Sequence, residues 1–161
     1  MKSHKNLVLV RGAVGSGKTE FARTIAPHSS IAADDYFERN GGFDKTKLNE
    51  AHGECRARAL MLMSGGERIV AIHNTFVGNR DMLPYFKLAQ KYGYTVRVVT
   101  MNGHYGNTHK VPQYILQRHK DRWEELDLEM VRVYNRRINE PNSRVFEPTI
   151  DNAKVDIIKN N

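Results

Sequence analysis

The chain has 161 residues, of which 40% are hydrophobic and 27% are charged, a composition typical of one globular domain. No apolar run reaches the length of a membrane span, a single cysteine excludes an internal disulfide, and the seven histidines lack metal-site spacing. Because the amino-terminal segment leads directly into a strand, we expect a cytoplasmic protein that does not bind membranes. The net charge of +7 favours a polyanionic partner.

The amino-terminal part of the chain predicts a nucleotide-binding unit. The apolar residues 7–10 predict a buried strand, and Lys18–Ile25 predicts a helix. The intervening residues match G-x-x-x-x-G-K-[ST] and are Gly12, Ala13, Val14, Gly15, Ser16, Gly17, Lys18 and Thr19. Glycines let successive backbone N–H groups curl around a phosphate. The motif therefore predicts ATP binding, with Lys18 on the β- and γ-phosphates and the Thr19 hydroxyl on Mg²⁺.

Strands and helices alternate along the following residues. Residues 30–33, 69–72 and Thr95–Met101 have the apolar composition of strands, whereas residues 46–63 and 82–92 have helical spacing. Such alternation is typical of a parallel sheet covered by helices. We expect a single α/β domain over residues 1–161, with three layers and a mostly parallel sheet.

A polar segment near residue 105 predicts a lid. Residues 102–111 contain glycine, asparagine and histidine with little apolar content, and a helix then starts near Pro112 and reaches at least Trp123. We expect residues 102–123 to close over the triphosphate, although a plain surface loop is the alternative. Helical spacing continues over residues 126–138, and residues 145–158 have strand character without a definite place.

Taken in order, the motifs resemble the P-loop kinases of the polynucleotide 5′-hydroxyl kinase type. The matching stretches are VRGAVGSGKTEFAR, DDYF, LNEAHGECRARAL, HNTFVGNRDMLPYFKLAQKYGY and NTHKVPQYILQRHKDRWE. They cover most of residues 7–125. The resemblance implies a P-loop kinase fold with a lid, and a transfer of the γ-phosphoryl group of ATP, with Mg²⁺, to a hydroxyl of DNA or RNA.

The resemblance also implies which residues act on the acceptor. Asp34 corresponds to the general base, which takes the proton of the acceptor hydroxyl. A helix cap is the alternative for Asp34, and Asp35 is expected to be a cap or a surface residue. Asn74 and Thr75 correspond to a signature close to the acceptor and the metal, although a polar turn after a strand has the same composition.

Three departures from the family pattern bear on the acceptor. His73 stands where similar kinases have an aspartate, Phe76 replaces the second asparagine of the signature, and Phe37 replaces an arginine that contacts the acceptor phosphate. An aromatic ring cannot neutralise a phosphate, but it can stack on a base. We therefore expect Phe37 and Phe76 to bind the acceptor, with burial in the core as the alternative.

The lid arginine of similar kinases aligns with Gly106, which leaves Lys110 or Arg118 as the expected catalytic cation. Two enzyme functions fit this pattern. The first is a polynucleotide 5′-hydroxyl kinase, and the second is a kinase of a hydroxymethylated pyrimidine in DNA, as in phage base hypermodification. A small-molecule or nucleoside kinase and a non-catalytic ATP-binding adaptor are less expected.

Overall fold

The structure, a computed structural model, describes residues 4–106, 110–136 and 149–150. At its centre is one β-sheet in which all neighbouring strands are parallel, in the order β2-β3-β1-β4-β5. The strands are β1 (Asn6–Gly12), β2 (Ser30–Ile31), β3 (Ile69–His73), β4 (Thr95–Met101) and β5 (Thr149–Ile150). The prediction of an α/β fold with a parallel sheet is confirmed.

Helices cover both faces of the sheet. They are α1 (Lys18–Ile25), α2 (Asp34–Arg39), α3 (Leu48–Ser64), α4 (Asn79–Tyr92), α5 (Gln113–Arg122) and α6 (Leu128–Asn135), with a short 3-10 helix at Lys45–Lys47. Residues of α1 pack into one hydrophobic cluster with the sheet, and residues of α3, α4 and α6 pack into another. The described chain therefore has the three predicted layers.

The central strand β1 is covered on both sides. Leu7 and Leu9 belong to the larger cluster, under α3 and α4, whereas Val8 and Val10 belong to the cluster under α1. Burial of each such side chain contributes about 1.5–3 kcal/mol. The end of β1 at Gly12 is therefore held firmly, and the phosphate-loop motif starts there.

The starts of α3 and α4 differ from the sequence prediction because a side chain caps the backbone close to each start. The Asp44 side chain accepts a hydrogen bond from the Thr46 backbone N–H at 2.9 Å, which caps the 3-10 helix that precedes α3. Helix α4 starts at Asn79, three residues before the predicted start, because Asp81 accepts the Gly78 N–H at 3.0 Å. For α2 the sequence predicted a helix cap at Asp34 or Asp35 but no bounds, because a helix of six residues is too short for a periodic pattern.

The lid segment is partly described. Of the predicted lid, the structure includes residues 102–106 and 110–123, and α5 forms most of the second part. Helix α6 accounts for the helical spacing predicted beyond it, while Ile138 lies outside the described residues. The strand character predicted over residues 145–158 is also outside, except for β5. None of the described helices is long and apolar enough to cross a membrane.

Candidate active site

The phosphate-loop motif forms a tight turn between β1 and α1. Gly15 and Gly17 have φ angles of 78° and 95°, which favour glycine because a side chain would be strained there. A Cβ atom on residue 15 would also overlap the carbonyl oxygen of Gly106. Helix α1 begins at Lys18 with no side-chain cap, so the N–H groups of its first turn face the loop. Together these features form an anion-binding cradle.

Two side chains of the motif have the environment that a phosphate would complete. The Ser16 hydroxyl is buried without a hydrogen-bond partner in the described part of the chain. The Lys18 ammonium donates to the carbonyl oxygens of Gly12 and Ala13, at 2.9 and 2.8 Å. Burial lowers the pKa of Lys18 to about 8, and the carboxylate of Asp34 opposes this shift. The residues present therefore fit a bound triphosphate.

Thr19, the predicted magnesium ligand, lies next to the histidine that ends β3. Its hydroxyl is 3.2 Å from the Nδ1 atom of His73, which is 5% exposed. Within residues 4–106 and 110–136, no group of three histidine, cysteine, aspartate or glutamate side chains could hold a metal ion. Thr19, in the first turn of α1, stays the protein ligand that the sequence predicts for a Mg²⁺ ion.

The two aspartates at the start of α2 have different surroundings. Asp35 accepts the Ala32 N–H at 3.0 Å and pairs with Arg58 at 2.8 Å, so its carboxylate stabilises the turn between β2 and α2. Asp34 lines a cavity instead, and its charge acts on Lys18. Asp34 is thus the carboxylate that faces both the cavity and the phosphate loop.

Asn74 and Thr75 follow β3 and join its end to the neighbouring strands. The Asn74 side chain is buried and accepts the Ala33 N–H at 2.8 Å, which fixes the residue before Asp34. The Thr75 carbonyl accepts the Gly12 N–H at 3.3 Å, and Thr75 lines the cavity. Asn74 also lines the cavity, so both residues border the space in which an acceptor would bind, and Asn74 in addition positions the residue before Asp34.

We call the space beside Asp34 the acceptor cavity. It has a volume of about 500 Å³ and lies between the phosphate loop, α2, α3, α4 and the lid helix α5. Phe37 and Phe76 form part of its wall but are only 4% and 5% exposed. Phe37 packs against Phe43 and Phe76 against Tyr85, with ring centroids 5.2 and 5.7 Å apart. Their burial favours the core alternative over stacking on a base.

The predicted lid cations are exposed. Lys110 lies just before α5 with a φ of 53°, and Arg118 lines a groove on the outer side of the acceptor cavity. His119 of α5 was not among the predicted site residues, and it lines the acceptor cavity together with Val14 of the phosphate loop. Burial and the charge of Lys18 lower the pKa of His119, and its Nδ1 atom is buried without a partner among the described residues.

Arg11 is a second residue that the sequence analysis missed. It is 1% exposed, and its guanidinium lies 4.0 Å from the centroid of the Trp123 ring. It donates to the carbonyl oxygens of Phe76, Val77 and Glu124. Arg11 therefore links the phosphate loop to the segment after β3 and to the end of α5. A charged residue inside the apolar run of β1 was the signal available in the sequence.

The first part of the lid lies against the phosphate loop. The backbone N–H of Gly103 donates to the carbonyl oxygen of Ser16 at 3.2 Å, and that of Tyr105 donates to the carbonyl oxygen of Gly15 at 2.6 Å. The described lid residues therefore contact the same loop from which the cradle is built.

Comparison with known proteins identifies the family. Residues 7–104 match the AAA domain family, and the chain belongs to it. A stretch of 96 residues is 38% identical to human NEDD4-binding protein 2. This stretch is 56% of the chain but only 5% of that relative, so the chain spans about one-twentieth of its length.

Solved structures share the fold. A putative kinase from Chloroflexus aurantiacus matches with a TM-score of 0.56 and 15% identity, over 99% of this chain and 98% of that one. A chain of the Pnkp1/Rnl/Hen1 complex matches with a TM-score of 0.52 and 18% identity, over 73% of this chain and 40% of that one. The chain thus has a P-loop kinase-like fold, which is a nucleotide-binding fold.

Proposed function

We propose that this protein is an ATP- and Mg²⁺-dependent kinase that phosphorylates a hydroxyl of a nucleic acid, with a 5′-hydroxyl end as the acceptor. The observation that carries the proposal is the position of Asp34. Its carboxylate lines a cavity of about 500 Å³ and acts on Lys18 of the phosphate loop. Val14 of the phosphate loop lines the same cavity, so this carboxylate lies beside the loop that carries the phosphate-binding cation. Phosphoryl transfer to a hydroxyl requires a general base next to a phosphate-binding site in this way.

The residues of the site account for the proton and for the bonds that are made and broken in this transfer. Asp34 takes the proton of the acceptor hydroxyl while the acceptor oxygen forms a bond to the γ-phosphorus and the bond to the β–γ bridging oxygen breaks. The Lys18 ammonium and the N–H groups of the phosphate loop offset the negative charge on the phosphates. A Mg²⁺ ion, with the Thr19 hydroxyl as its predicted protein ligand, would supply further neutralisation of the negative charge on the phosphates.

Two arginines support an acceptor that carries phosphate. Arg56 of α3 and Arg80 of α4 line the acceptor cavity, and neither makes a hydrogen bond or ion pair within the described part of the chain. Each can therefore bind an acceptor phosphate without losing an existing partner. A nucleic acid provides such phosphates beside its terminal hydroxyl.

The aromatic wall of the cavity favours a second candidate, the kinase of a hydroxymethylated pyrimidine in DNA. Phe37, Phe76 and Tyr85 give the cavity apolar sides from within the core, and Phe43, which is only partly buried, is the ring that can contact a base. A flipped base is commonly held between aromatic and apolar side chains. In this case the acceptor hydroxyl would be on the base and not at the strand end.

The position of the transferred label distinguishes these candidates. The protein would be incubated with γ-labelled ATP, Mg²⁺ and, separately, 5′-hydroxyl DNA, 5′-hydroxyl RNA, duplex DNA containing hydroxymethyluracil, and free nucleosides. We expect label on the 5′ ends of the oligonucleotides. Label on the hydroxymethylated base would support the second candidate, label on nucleosides alone would indicate a small-molecule kinase, and no transfer would indicate a non-catalytic nucleotide-binding protein.

A further inference from the structure

A basic groove adjoins the acceptor cavity on the side of the lid helix. It lies between the 3-10 helix, the start of α4 and α5, and has a volume of about 780 Å³. The groove and the cavity share six lining residues, so they form one continuous surface. The shared residues are Leu48, Val77, Arg80, Asp81, Ile115 and His119.

Most of the charged side chains that line the groove are positive. Lys45, Arg80, Arg118 and Arg122 line it, and none of them makes a hydrogen bond or ion pair with another described residue. The two acidic residues of the lining bind backbone N–H groups at the start of α4. Asp81 accepts the Gly78 N–H, and Glu124 accepts the Asn79 N–H at 2.8 Å, so both cap α4. The groove therefore favours a polyanion.

One side of α5 presents an aromatic ring and two arginines in a row. Tyr114, Arg118 and Arg122 are spaced four residues apart, so they lie about 6 Å apart along the helix on one side. Tyr114 is 57% exposed, and Lys45 lies 5.7 Å from its ring centroid. A ring exposed beside guanidinium groups is the arrangement that binds unpaired bases and the phosphates between them.

We infer that this groove binds the single-stranded part of a polynucleotide acceptor, several nucleotides from the reacting end. Tyr114 stacks on an unpaired base, and Arg118 and Arg122 contact the neighbouring phosphates. The strand then enters the acceptor cavity past Arg80, which lines both spaces. The direction of the strand, with its hydroxyl end at Asp34, rests on the proposed function, whereas binding in the groove does not.

Binding of short and long oligonucleotides tests the groove without any phosphoryl transfer. The probes are thymidine oligonucleotides of two and ten nucleotides with a free 5′-hydroxyl and a fluorophore at the 3′ end, measured by anisotropy. We expect the ten-nucleotide probe to bind at least about tenfold more tightly. In Tyr114→Ala the ratio of the affinities for the long and the short probe falls by about tenfold, the scale of one lost stacking contact. Tyr114→Phe keeps this ratio, because the ring is retained. Arg122→Ala is expected to weaken binding of the ten-nucleotide probe and to reduce the dependence of that binding on salt concentration.

A matched control removes a charge outside the groove. Lys87 is exposed on α4 and does not line the groove, so Lys87→Ala is expected to bind both probes as the unsubstituted protein does. Circular dichroism of each variant would verify that the fold is retained. Equal binding of both probes, or undiminished binding by folded Tyr114→Ala, would overturn the inference. Equally tight binding of a blunt duplex or of a ten-residue glutamate peptide would also overturn it.

Failure of the inference and failure of the proposed function give different results. If the long probe binds through Tyr114 but labelled ATP transfers nothing to it, the groove is supported and the kinase function fails. If both probes are phosphorylated with the same KM and bind equally, the function is supported and the groove fails.

Discussion

The ammonium of Lys18 lies among backbone carbonyls, and this environment makes nucleotide binding depend on pH. Burial lowers its pKa to about 8, so the unbound protein loses this proton as the pH rises through 8. A bound triphosphate places negative charge beside the amine and raises that pKa. Binding therefore takes up a proton above pH 8, and the affinity for ATP must fall as the pH rises.

We expect the Kd for ATP to increase by up to about tenfold per pH unit above pH 8, and to change little between pH 6.5 and 7.5. Calorimetric titrations in buffers of different ionisation enthalpy would measure both the Kd and the proton uptake. Lys18→Arg is the control, because a guanidinium stays charged throughout this range and removes the dependence. An affinity that is the same at pH 7 and pH 9.5 would contradict the assignment of Lys18.

The two phenylalanines of the acceptor cavity are expected to act mainly through packing. Phe37 and Phe76 are almost fully buried in the larger hydrophobic cluster. Replacement of either by alanine should lower the free energy of unfolding by about 3–5 kcal/mol. Denaturant unfolding, measured beside the KM for an oligonucleotide acceptor, would test this. A selective rise in the acceptor KM with unchanged stability would support stacking on a base instead.

At the residue scale, the sequence predicts the phosphate loop well and the acceptor side less well. The cradle is built from consecutive residues, so its spacing carries the geometry. The acceptor cavity instead takes Arg56 from α3, Arg80 from α4 and His119 from α5. No sequence spacing relates these three residues, because only the packing of the helices brings them together.

At the scale of the elements, Arg11 joins the end of β1 to two other segments of the chain. Its guanidinium connects the end of β1 with the segment after β3 and with Trp123, which follows α5. Replacement of Arg11 by methionine would leave the carbonyl oxygens of Phe76 and Glu124 without this donor. Each buried acceptor that loses its partner costs about 1–3 kcal/mol. The end of the lid helix should then be held less firmly against the phosphate loop.

We expect Arg11→Met to lower the melting temperature and to shift the emission of Trp123 to longer wavelength as the ring becomes more exposed. Trp123 is the only tryptophan in the chain, so its fluorescence reports this contact directly. We also expect the KM for ATP to rise, since the lid no longer packs in place. Arg11→Lys keeps the charge but not the planar donors, so its melting temperature, Trp123 emission and KM for ATP should lie between those of the unsubstituted protein and of Arg11→Met. An unchanged emission spectrum in Arg11→Met would contradict the link.

The elements themselves were predictable where they are long. The bounds of α1 and β4 agree with the sequence prediction, because a glycine turn, a proline and strong apolar patterns delimit them. For α2 the two aspartates gave a local cap signal, and Asp35 does accept the Ala32 N–H. Its extent was not predictable because six residues give no periodicity, and the pairing of Asp35 with Arg58 joins residues distant in sequence.

At the scale of the whole molecule, the topology explains why the site forms. In a parallel sheet the carboxyl ends of the strands meet at one edge. The phosphate loop follows β1, Asp34 follows β2, and Asn74 and Thr75 follow β3, and these three strands are neighbours. The sequence therefore predicts that these groups lie together. It does not predict the basic groove, since three separate elements form its walls.

The central claim is that Asp34 accepts the proton of an acceptor hydroxyl beside a bound ATP. The most direct test measures transfer from γ-labelled ATP to a 5′-hydroxyl oligonucleotide for the unsubstituted protein, Asp34→Asn and Asp35→Asn, with the Kd for ATP measured in parallel. We predict that Asp34→Asn retains its ATP affinity and its melting temperature but loses about 10²-fold or more in turnover, while Asp35→Asn keeps most of its turnover. Equal turnover in Asp34→Asn and the unsubstituted protein would contradict the account.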